Sequence, residues 1–333
     1  MEDRFGHRIS YLRVSVTDRC NERCRYCMPE EMQEWLPRAD VLSFEEIQRL
    51  ILIAAGLGVD KVRLTGGEPL TRPGLVQFVS QLSALGCLKQ IGLSTNGSLL
   101  TRTGPGGKSL AAQLREAGVT SLNISLDTLD PGTYAQVTGR DFLPRVLAGI
   151  DAGVAAGFDH IRINAVLMRG RNENSLLEMV EFAHARSLLL RFIELMPVST
   201  TEVLNDKNFF PVREARRVLE NSLGQLIPQP DFRTNGPATY YQIPGREQKI
   251  GFIGALTNLH FCETCNKLRL TCDGKLRPCL GSHLEVDLMG ALRGGADDQA
   301  LRAIFLDTIA RKPEKHEFRE NYQPGRRMIA IGG

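Results

Sequence analysis

Seven of the eight cysteines fall into two groups, and these thiols are the residues of the sequence best suited to chemistry. Cys20, Cys24 and Cys27 lie within eight positions. The second group spans eighteen positions near the other end of the chain and contains Cys262, Cys265, Cys272 and Cys279. Thiols clustered in this way are more typical of metal ligands or redox groups than of disulfides. Cys87 stands alone, and we expect it to be a small buried residue.

The first group has the spacing CxxxCxxC. Three thiolates this close can hold three irons of a cubane cluster, and without a fourth thiol nearby one iron keeps an open position. By analogy with three-ligand zinc enzymes, an open position marks a catalytic site. The alternative is a structural zinc ion with a histidine as fourth ligand. Zinc motifs usually carry CxxC pairs, however, and His7 lies upstream of the group.

The second group allows more than one metal site. Four thiols at these spacings suit a structural zinc or a fully ligated cluster, whereas three would leave an iron open for a substrate atom. Spacing alone does not decide between them. Basic residues are interleaved with the thiols: Lys267, Arg269, Lys275 and Arg277. If a loop projects Lys267 and Arg269 on one side, they would attract an anionic ligand, phosphate especially. The alternative is a solvated basic face.

Short β-type segments alternate with amphipathic helical segments through the first two thirds of the chain. The predicted strands are 12–16, 61–64, 90–94, 121–126, 160–167 and 189–195. The predicted helices are 44–57, 75–85, 110–117, 143–156 and 176–185. This order predicts an α/β fold, an incomplete (βα)6 barrel of the triose-phosphate-isomerase type, with an open doubly wound sheet as the alternative. Either fold places ligands at the carboxyl ends of the strands.

The alternation stops near Met196. A helix over 212–221 follows, and then a stretch rich in Pro, Asn and Gly. We therefore predict two domains, a barrel at 1–225 and a C-terminal domain with the second thiol group at 226–333.

Composition limits the classes of function. The 333 residues contain 41 Lys and Arg against 38 Asp and Glu, so the net charge of +3 gives no strong field for nucleic acid or membrane. The longest apolar stretch without a charge has ten residues, at 50–59, and a spanning helix needs about 18. The charged N-terminus, MEDRFGHR, is unlike a signal peptide. These features favour a cytoplasmic protein.

The CxxxCxxC motif after the first strand, followed by TGGEP at 65–69, resembles the radical S-adenosylmethionine superfamily. The resemblance implies that Cys20, Cys24 and Cys27 hold a [4Fe–4S] cluster whose open iron binds S-adenosylmethionine. It also implies contacts to that cofactor from the following residues: Tyr26, Gly67, Ser125 and Met196.

A narrower resemblance is to the GTP 3′,8-cyclase family, which begins molybdenum cofactor biosynthesis. It is carried by LRVSVTDRCNERCRYCMP, TGGEPL, STNG, NISLD, RFIELMP, CETCNKLRLT and a C-terminal IGG, in this order. It implies a second [4Fe–4S] cluster on Cys262, Cys265 and Cys279, with a catalytic tail at Gly332 and Gly333. The implied GTP contacts are Arg13, Arg63, Thr95, Arg162, Lys267 and Arg269.

The sequence departs from that family at three places. Cys272 stands where the family has a non-thiol residue, which leaves open which thiols bind metal. Arg162 replaces a common lysine, so the charge is kept but the geometry is not. Residues 102–109 form an insertion whose Gly107-Lys108-Ser109 only partly matches a phosphate-binding loop, because Arg102 stands where that loop needs glycine.

The resemblance implies a mechanism and partners. An electron cleaves S-adenosylmethionine to methionine and a 5′-deoxyadenosyl radical, which removes hydrogen from the 3′ carbon of GTP. That carbon then bonds to carbon 8 of guanine, and an electron and a proton complete the product. The implied partners are an electron donor of flavodoxin or ferredoxin type and the cyclic pyranopterin monophosphate synthase. A homodimer is left open. Two other hypotheses stay open from the residues alone: a peptide-modifying radical enzyme, and a two-zinc module that binds nucleic acid.

Overall fold

Twelve strands form one sheet in the part of the chain that this computed structural model describes, namely residues 1–28, 34–198, 204–205, 207–320, 322–323 and 325–332. The first six strands are parallel neighbours in chain order. They are β1 (Tyr11–Ser15), β2 (Lys61–Thr65), β3 (Gln90–Thr95), β4 (Ser121–Ser125), β5 (His160–Leu167) and β6 (Leu189–Glu194). The predicted strands are therefore confirmed to within a residue or two at their ends.

The C-terminal third of the chain extends the same sheet at both edges. Its strands are β7 (Ile227–Pro228), β8 (Thr239–Gln242), β9 (Lys249–Ile253), β10 (Lys267–Leu270), β11 (Lys275–Arg277) and β12 (Val286–Asp287). The strand β9 pairs in parallel with β6, and β10 pairs in parallel with β1. The strands beyond them, β8 with β7 and β11 with β12, add antiparallel pairs. The division into two domains at residue 225 stays a prediction, although strands from both sides of that residue belong to one sheet.

Helices cover the outer face of this sheet. Those between the barrel strands are α1 (Phe44–Gly56), α2 (Leu75–Ala84), α3 (Leu110–Ala117), α4 (Pro131–Thr138), α5 (Leu143–Ala155) and α6 (Leu176–Ala185). Those that follow are α7 (Val212–Leu223), α8 (Leu288–Arg293), α9 (Asp298–Ala310) and α10 (Met328–Ile331). The sequence reading missed α4, although its start is well marked: the Asp130 side chain accepts a hydrogen bond from the Thr133 amide, and Pro131 follows it.

The strands alternate between two environments, and this alternation positions the functional side chains. On β1, Leu12 and Val14 are fully buried against the helices, whereas Tyr11 and Arg13 face a central cavity. The strands β2, β4, β5, β6 and β10 alternate in the same way. A parallel sheet buried on both faces is normally apolar throughout. The polar inner face therefore indicates a binding site enclosed by the curved sheet.

The helical layer also follows the sheet at both edges. The helix α9 packs beside α1, and α7 packs beside α6. Among the described residues, no helix combines the length and apolarity needed to cross a membrane.

Candidate active site

One cavity of about 360 Å³ lies inside the sheet, and it collects almost all of the predicted site residues. Its walls include the cysteines Cys20, Cys24, Cys27, Cys262, Cys265 and Cys279. They also include the predicted cofactor contacts Tyr26, Gly67, Ser125 and Met196, and the predicted GTP contacts Arg13, Arg63, Thr95, Arg162, Lys267 and Arg269. Residues separated by most of the chain therefore meet in one volume, which is of the size usual for ligand pockets.

The first cysteine trio lies in the loop that follows β1. Burial raises the pKa of the Cys20 thiol to about 12 and raises those of Cys24 and Cys27 further. Cys20 and Cys27 also raise the pKa of Cys24 by charge repulsion, and Cys20 raises that of Cys27. The three sulfurs therefore lie near one another. The raised pKa values mean that three buried thiolates are unfavourable without a metal. Bound iron would offset this, because a cysteine that ligates a metal is a thiolate.

The glycine pair of TGGEP lets two loops lie directly on each other. The Gly67 amide donates to the Thr17 carbonyl at 2.8 Å, and the Glu68 amide donates to the Arg19 carbonyl at 2.8 Å. A Cβ at Gly67 would lie 2.4 Å from the Arg19 carbonyl oxygen, so no larger residue fits there. The loop after β2 thus holds the backbone that leads into Cys20.

Two buried carboxylates organise the same end of the cavity. Asp127 accepts hydrogen bonds from the Tyr26 hydroxyl and from the Val166 amide, each at 2.8 Å, and burial raises its pKa to about 6. Glu68 accepts from the Thr95 hydroxyl at 2.8 Å, and burial raises its pKa to about 7. Tyr26 and Thr95 are therefore fixed by acids that the sequence reading had not assigned, although both acids lie within motifs it quoted.

The second cysteine trio comes from the loop before β10 and the chain after β11. The charges of Cys262 and Cys265 each affect the pKa of Cys279, which burial raises to about 11. Cys272 differs from these three. It is fully buried, lies outside the cavity wall, and interacts with Ser15, while burial raises its pKa to about 12. The structure thus groups three thiols of the second motif and leaves the fourth apart.

The remaining cysteine corrects one expectation. Cys87 is exposed, not buried, because it follows α2 at the surface. All eight cysteines lie within the described ranges, and none forms a disulfide. Among the described residues, no three His, Cys, Asp or Glu side chains converge as ligands of one ion. A cubane cluster spans more space than a single ion, so its three ligands lie farther apart than those of one zinc ion.

Three arginines meet on the inner face of three neighbouring strands. The register places Arg13 on β1 directly opposite Arg63 on β2 and Arg269 on β10. Like charges directly opposite each other destabilise a sheet. Burial lowers the pKa of Arg13 to about 10, and repulsion from Arg63 adds to this effect. Burial lowers the pKa of Arg269 to about 9, and repulsion from Arg13 adds to it.

The opposite side of the cavity contributes further positive charge. Burial lowers the pKa of Arg162 on β5 to about 10, and Arg191 on β6 repels it. Arg191 is itself buried, and its guanidinium donates to the Asn164 side-chain oxygen at 2.6 and 2.9 Å. The sequence reading missed Arg191, although it begins the quoted RFIELMP motif at an inward-facing position.

The cavity cations have no acidic partners in the part of the chain that the structure describes. Within the described ranges, no carboxylate lies within ion-pair distance of the six cavity cations Arg13, Arg63, Arg162, Arg191, Lys267 and Arg269. The Nε atoms of Arg13 and Arg162 are buried without any hydrogen-bond partner. A buried, unpaired charge is costly, so this cluster fits a polyanionic ligand.

Arg63 has a different local role from the others. Its guanidinium donates to the Tyr11 hydroxyl at 2.6 Å, the Leu93 carbonyl at 2.7 Å and the Ser121 hydroxyl at 2.9 Å. Gly92 leaves the space for it, since a Cβ there would lie 2.5 Å from the guanidinium. The Arg63 guanidinium is thus held by hydrogen bonds within the protein, unlike the Nε atoms of Arg13 and Arg162.

The C-terminal tail returns to this wall. The Gly332 carbonyl accepts a hydrogen bond from Arg269 at 2.9 Å. Gly332 has a φ of 81°, and a Cβ there would lie 2.9 Å from the side chains of Ser15 and Thr65, so both backbone and packing require glycine. Gly333 lies outside the described residues.

The fold and the two thiol trios define a class of iron–sulfur enzyme, and comparisons with known proteins agree. The radical SAM superfamily profile matches residues 14–183, and a profile described as Molybdenum Cofactor Synthesis C matches residues 188–318. Among solved structures, Streptococcus suis SuiB bound to precursor peptide SuiA has a TM-score of 0.61 at 17% identity and covers 98% of this chain and 76% of its own. Native anSMEcpe with bound AdoMet has a TM-score of 0.59 at 14% identity, with 92% and 82% covered. The fold is that of a radical SAM enzyme.

Full-length relatives specify the family. A GTP 3′,8-cyclase of Moorella thermoacetica is 42% identical over 333 residues, covering 100% of both chains. Another, of Rhizobium meliloti, is 42% identical over 341 residues, covering 100% of this chain and 94% of its own. The chain belongs to the GTP 3′,8-cyclase family of radical SAM enzymes. Its cofactors are S-adenosylmethionine and two [4Fe–4S] clusters.

The separation of Cys272 from the second trio gives a first testable prediction. We expect anaerobically purified protein to be brown, with about eight iron and eight sulfide for two [4Fe–4S] clusters. Cys279→Ala should lower the iron content to about four, because two thiols do not hold a cubane. The matched variant Cys272→Ala should keep the full content. Equal iron loss in both variants would contradict this ligand set.

Proposed function

We propose that this chain converts GTP into (8S)-3′,8-cyclo-7,8-dihydroguanosine 5′-triphosphate, the first step of molybdenum cofactor biosynthesis, in the cavity between the two cysteine trios. One observation carries the proposal: both trios and the unpaired cations line the same cavity. A phosphate-rich substrate would neutralise those cations while its other end reaches the second trio.

We assign the first trio, Cys20, Cys24 and Cys27, to the cluster that binds S-adenosylmethionine. When bound, these groups supply a one-electron cleavage of a carbon–sulfur bond in S-adenosylmethionine. Tyr26, held by Asp127, forms a fixed aromatic wall beside the trio, and Ser125 presents an exposed hydroxyl to the cavity. The backbone at Gly67 lies in the cavity wall beside the loop that leads into Cys20.

The substrate is held by groups on the strands. The guanidinium groups of Arg13, Arg162 and Arg269 bind the triphosphate, with Lys267 adding charge. The second trio lies on the same wall as Lys267 and Arg269, where its three thiols would hold a cluster that could bind the guanine end of GTP. Fixing both ends of GTP raises the effective concentration of the 3′ carbon at the reacting point. The enclosing sheet excludes water from that point.

The proposal includes partners that the sequence suggested. An electron donor of flavodoxin or ferredoxin type supplies the electron, and the cyclic pyranopterin monophosphate synthase receives the product, because the product is reactive. A homodimer and a cytoplasmic location stay predictions.

Isotope transfer tests the reaction itself. Holoenzyme incubated with dithionite, S-adenosylmethionine and GTP deuterated at the 3′ carbon should release 5′-deoxyadenosine that carries the deuterium, together with the cyclised nucleotide. Mass spectrometry measures both products. Unlabelled 5′-deoxyadenosine beside unchanged GTP would refute the proposal. The variant Cys24→Ala, which we expect to lose the first cluster, is the control and should release neither product.

Removing one unpaired cation should weaken triphosphate binding selectively. We expect Arg13→Gln and Arg162→Gln each to raise the Kd for GTP about 10- to 100-fold, since a hydrogen bond to a charged group contributes about 1.5–3 kcal/mol. Calorimetric titration of holoenzyme with GTP and with guanosine measures this effect. Guanosine lacks phosphate, so its affinity should not change.

A surface arginine provides the matched control for that experiment. Arg102 is exposed and lies outside the active-site cavity, so Arg102→Gln should bind GTP like the parent chain. If Arg13→Gln and Arg162→Gln weakened guanosine as much as GTP, the arginines would support the fold and would not read the phosphates.

The tail gives a further prediction. We expect Gly332→Ala, and deletion of residues 332–333, each to lower kcat about tenfold or more. The deletion removes the Gly332 carbonyl, and the Cβ of alanine would displace it, so the Arg269 guanidinium loses a charge-assisted hydrogen bond of about 1.5–3 kcal/mol. Gly325→Ala is the control in the same tail, because its Cβ would meet nothing nearer than 3.7 Å. Steady-state turnover measures the effect. Unchanged turnover in both test variants would remove the proposed role of the tail.

A further inference from the structure

A buried ammonium group lies beside the second cysteine trio. Lys312 follows the end of α9, and only 3% of its surface is exposed. Its Nζ donates a hydrogen bond to Cys265 Sγ at 3.6 Å. Within the described ranges, no carboxylate pairs with Lys312. Since a buried lysine without an acidic partner is unfavourable, its negative partner must be the sulfur group itself.

The charge of Lys312 reaches all three thiols of the trio. It opposes the rise in pKa that burial causes at Cys262 and at Cys279. At Cys265 burial also raises the pKa, but the charges of Lys312 and Lys267, together with a hydrogen bond from each, outweigh it, and the pKa lies below its ordinary value. The ammonium is therefore close enough to influence whatever negative charge the trio carries.

The first trio has the opposite surroundings. Glu68 and Glu22 raise the pKa of Cys20, and Asp127 and Glu22 raise that of Cys27, in each case after burial. Carboxylates thus surround one trio, and an ammonium lies against the other. A cubane held by three thiolates is negative, and one-electron reduction adds a further negative charge. Nearby charge and hydrogen bonds to sulfur set the potential of such clusters.

We propose that Lys312 is a positioning residue of the second cluster, whose ammonium donates a hydrogen bond to Cys265 and makes that cluster easier to reduce than the first. In the reduction the cluster accepts one electron from a one-electron donor, no covalent bond forms or breaks, and the proton stays on Lys312. The inference rests on the ligand set of the proposed function, namely Cys262, Cys265 and Cys279.

A redox titration of the holoenzyme tests the inference. Dithionite is added stepwise under electron paramagnetic resonance, and the signal missing from Cys279→Ala identifies the second cluster. In the parent chain that signal should develop at a higher potential than the first cluster's. In Lys312→Met its reduction should become at least tenfold less favourable, a shift of about 59 mV for one electron. Lys312→Arg, which keeps the charge, should restore most of that shift.

An exposed neighbour provides the matched control. The Arg311 side chain is about half exposed and pairs with Asp307, so water should screen its charge. Arg311→Met should therefore leave both potentials unchanged. The first cluster's potential should also stay constant in Lys312→Met.

Each outcome has a defined meaning. An unshifted second cluster in Lys312→Met, at full iron content, would overturn the inference. Loss of that cluster in Lys312→Met with recovery in Lys312→Arg would support it, whereas loss in both folded variants would show a packing role and overturn it. A parent chain that binds no second cluster would refute the proposed function, so the two failures are distinguishable.

Discussion

Buried cations on the inner face of the sheet repel one another. Arg13 faces Arg63 and Arg269 across two strand pairs, and no carboxylate among the described residues neutralises them. The fold compensates only in part. Burial raises the pKa of Tyr11, yet the attraction of Arg63 and Arg13 lowers it overall to about 8. The arrangement is stable because a large apolar core on the other face of the same strands offsets its cost, and a bound polyanion would relieve it.

The charge of the cavity wall changes sign from one cysteine trio to the other. Carboxylates that include Glu68 and Asp127 gather around the first trio, whereas arginine and lysine side chains dominate the strands towards the second. S-adenosylmethionine carries a positive sulfonium, and GTP carries a negative triphosphate. Opposite charges therefore favour one placement of the two molecules and disfavour the exchanged one. The protein can select orientation before any contact to base or ribose is made.

Local patterns predicted much of this structure, and long-range packing explains what they missed. The barrel strands follow from period-two alternation, and the cysteine and glycine motifs indicated the site. Arg191 could have been found by asking which strand positions face inward. Lys312 follows a helix in a segment without a recognisable motif, and only packing brings it to Cys265. Likewise, no local signal shows that β9 pairs with β6 at one edge of the sheet and β10 with β1 at the other. Pairing between strands far apart in the sequence depends on the whole fold.

The placement of β10 beside β1 has a consequence for synthesis on the ribosome. The strand β1 emerges from the ribosome long before its partner β10, because most of the barrel lies between them in the sequence. Until then the nascent chain exposes an unpaired strand edge, which is a template for aggregation. Non-local pairing of this kind also slows folding. We therefore expect chaperones to protect the nascent chain until β10 has emerged, and insertion of the second cluster to wait for that stage, since the second trio and β10 emerge together.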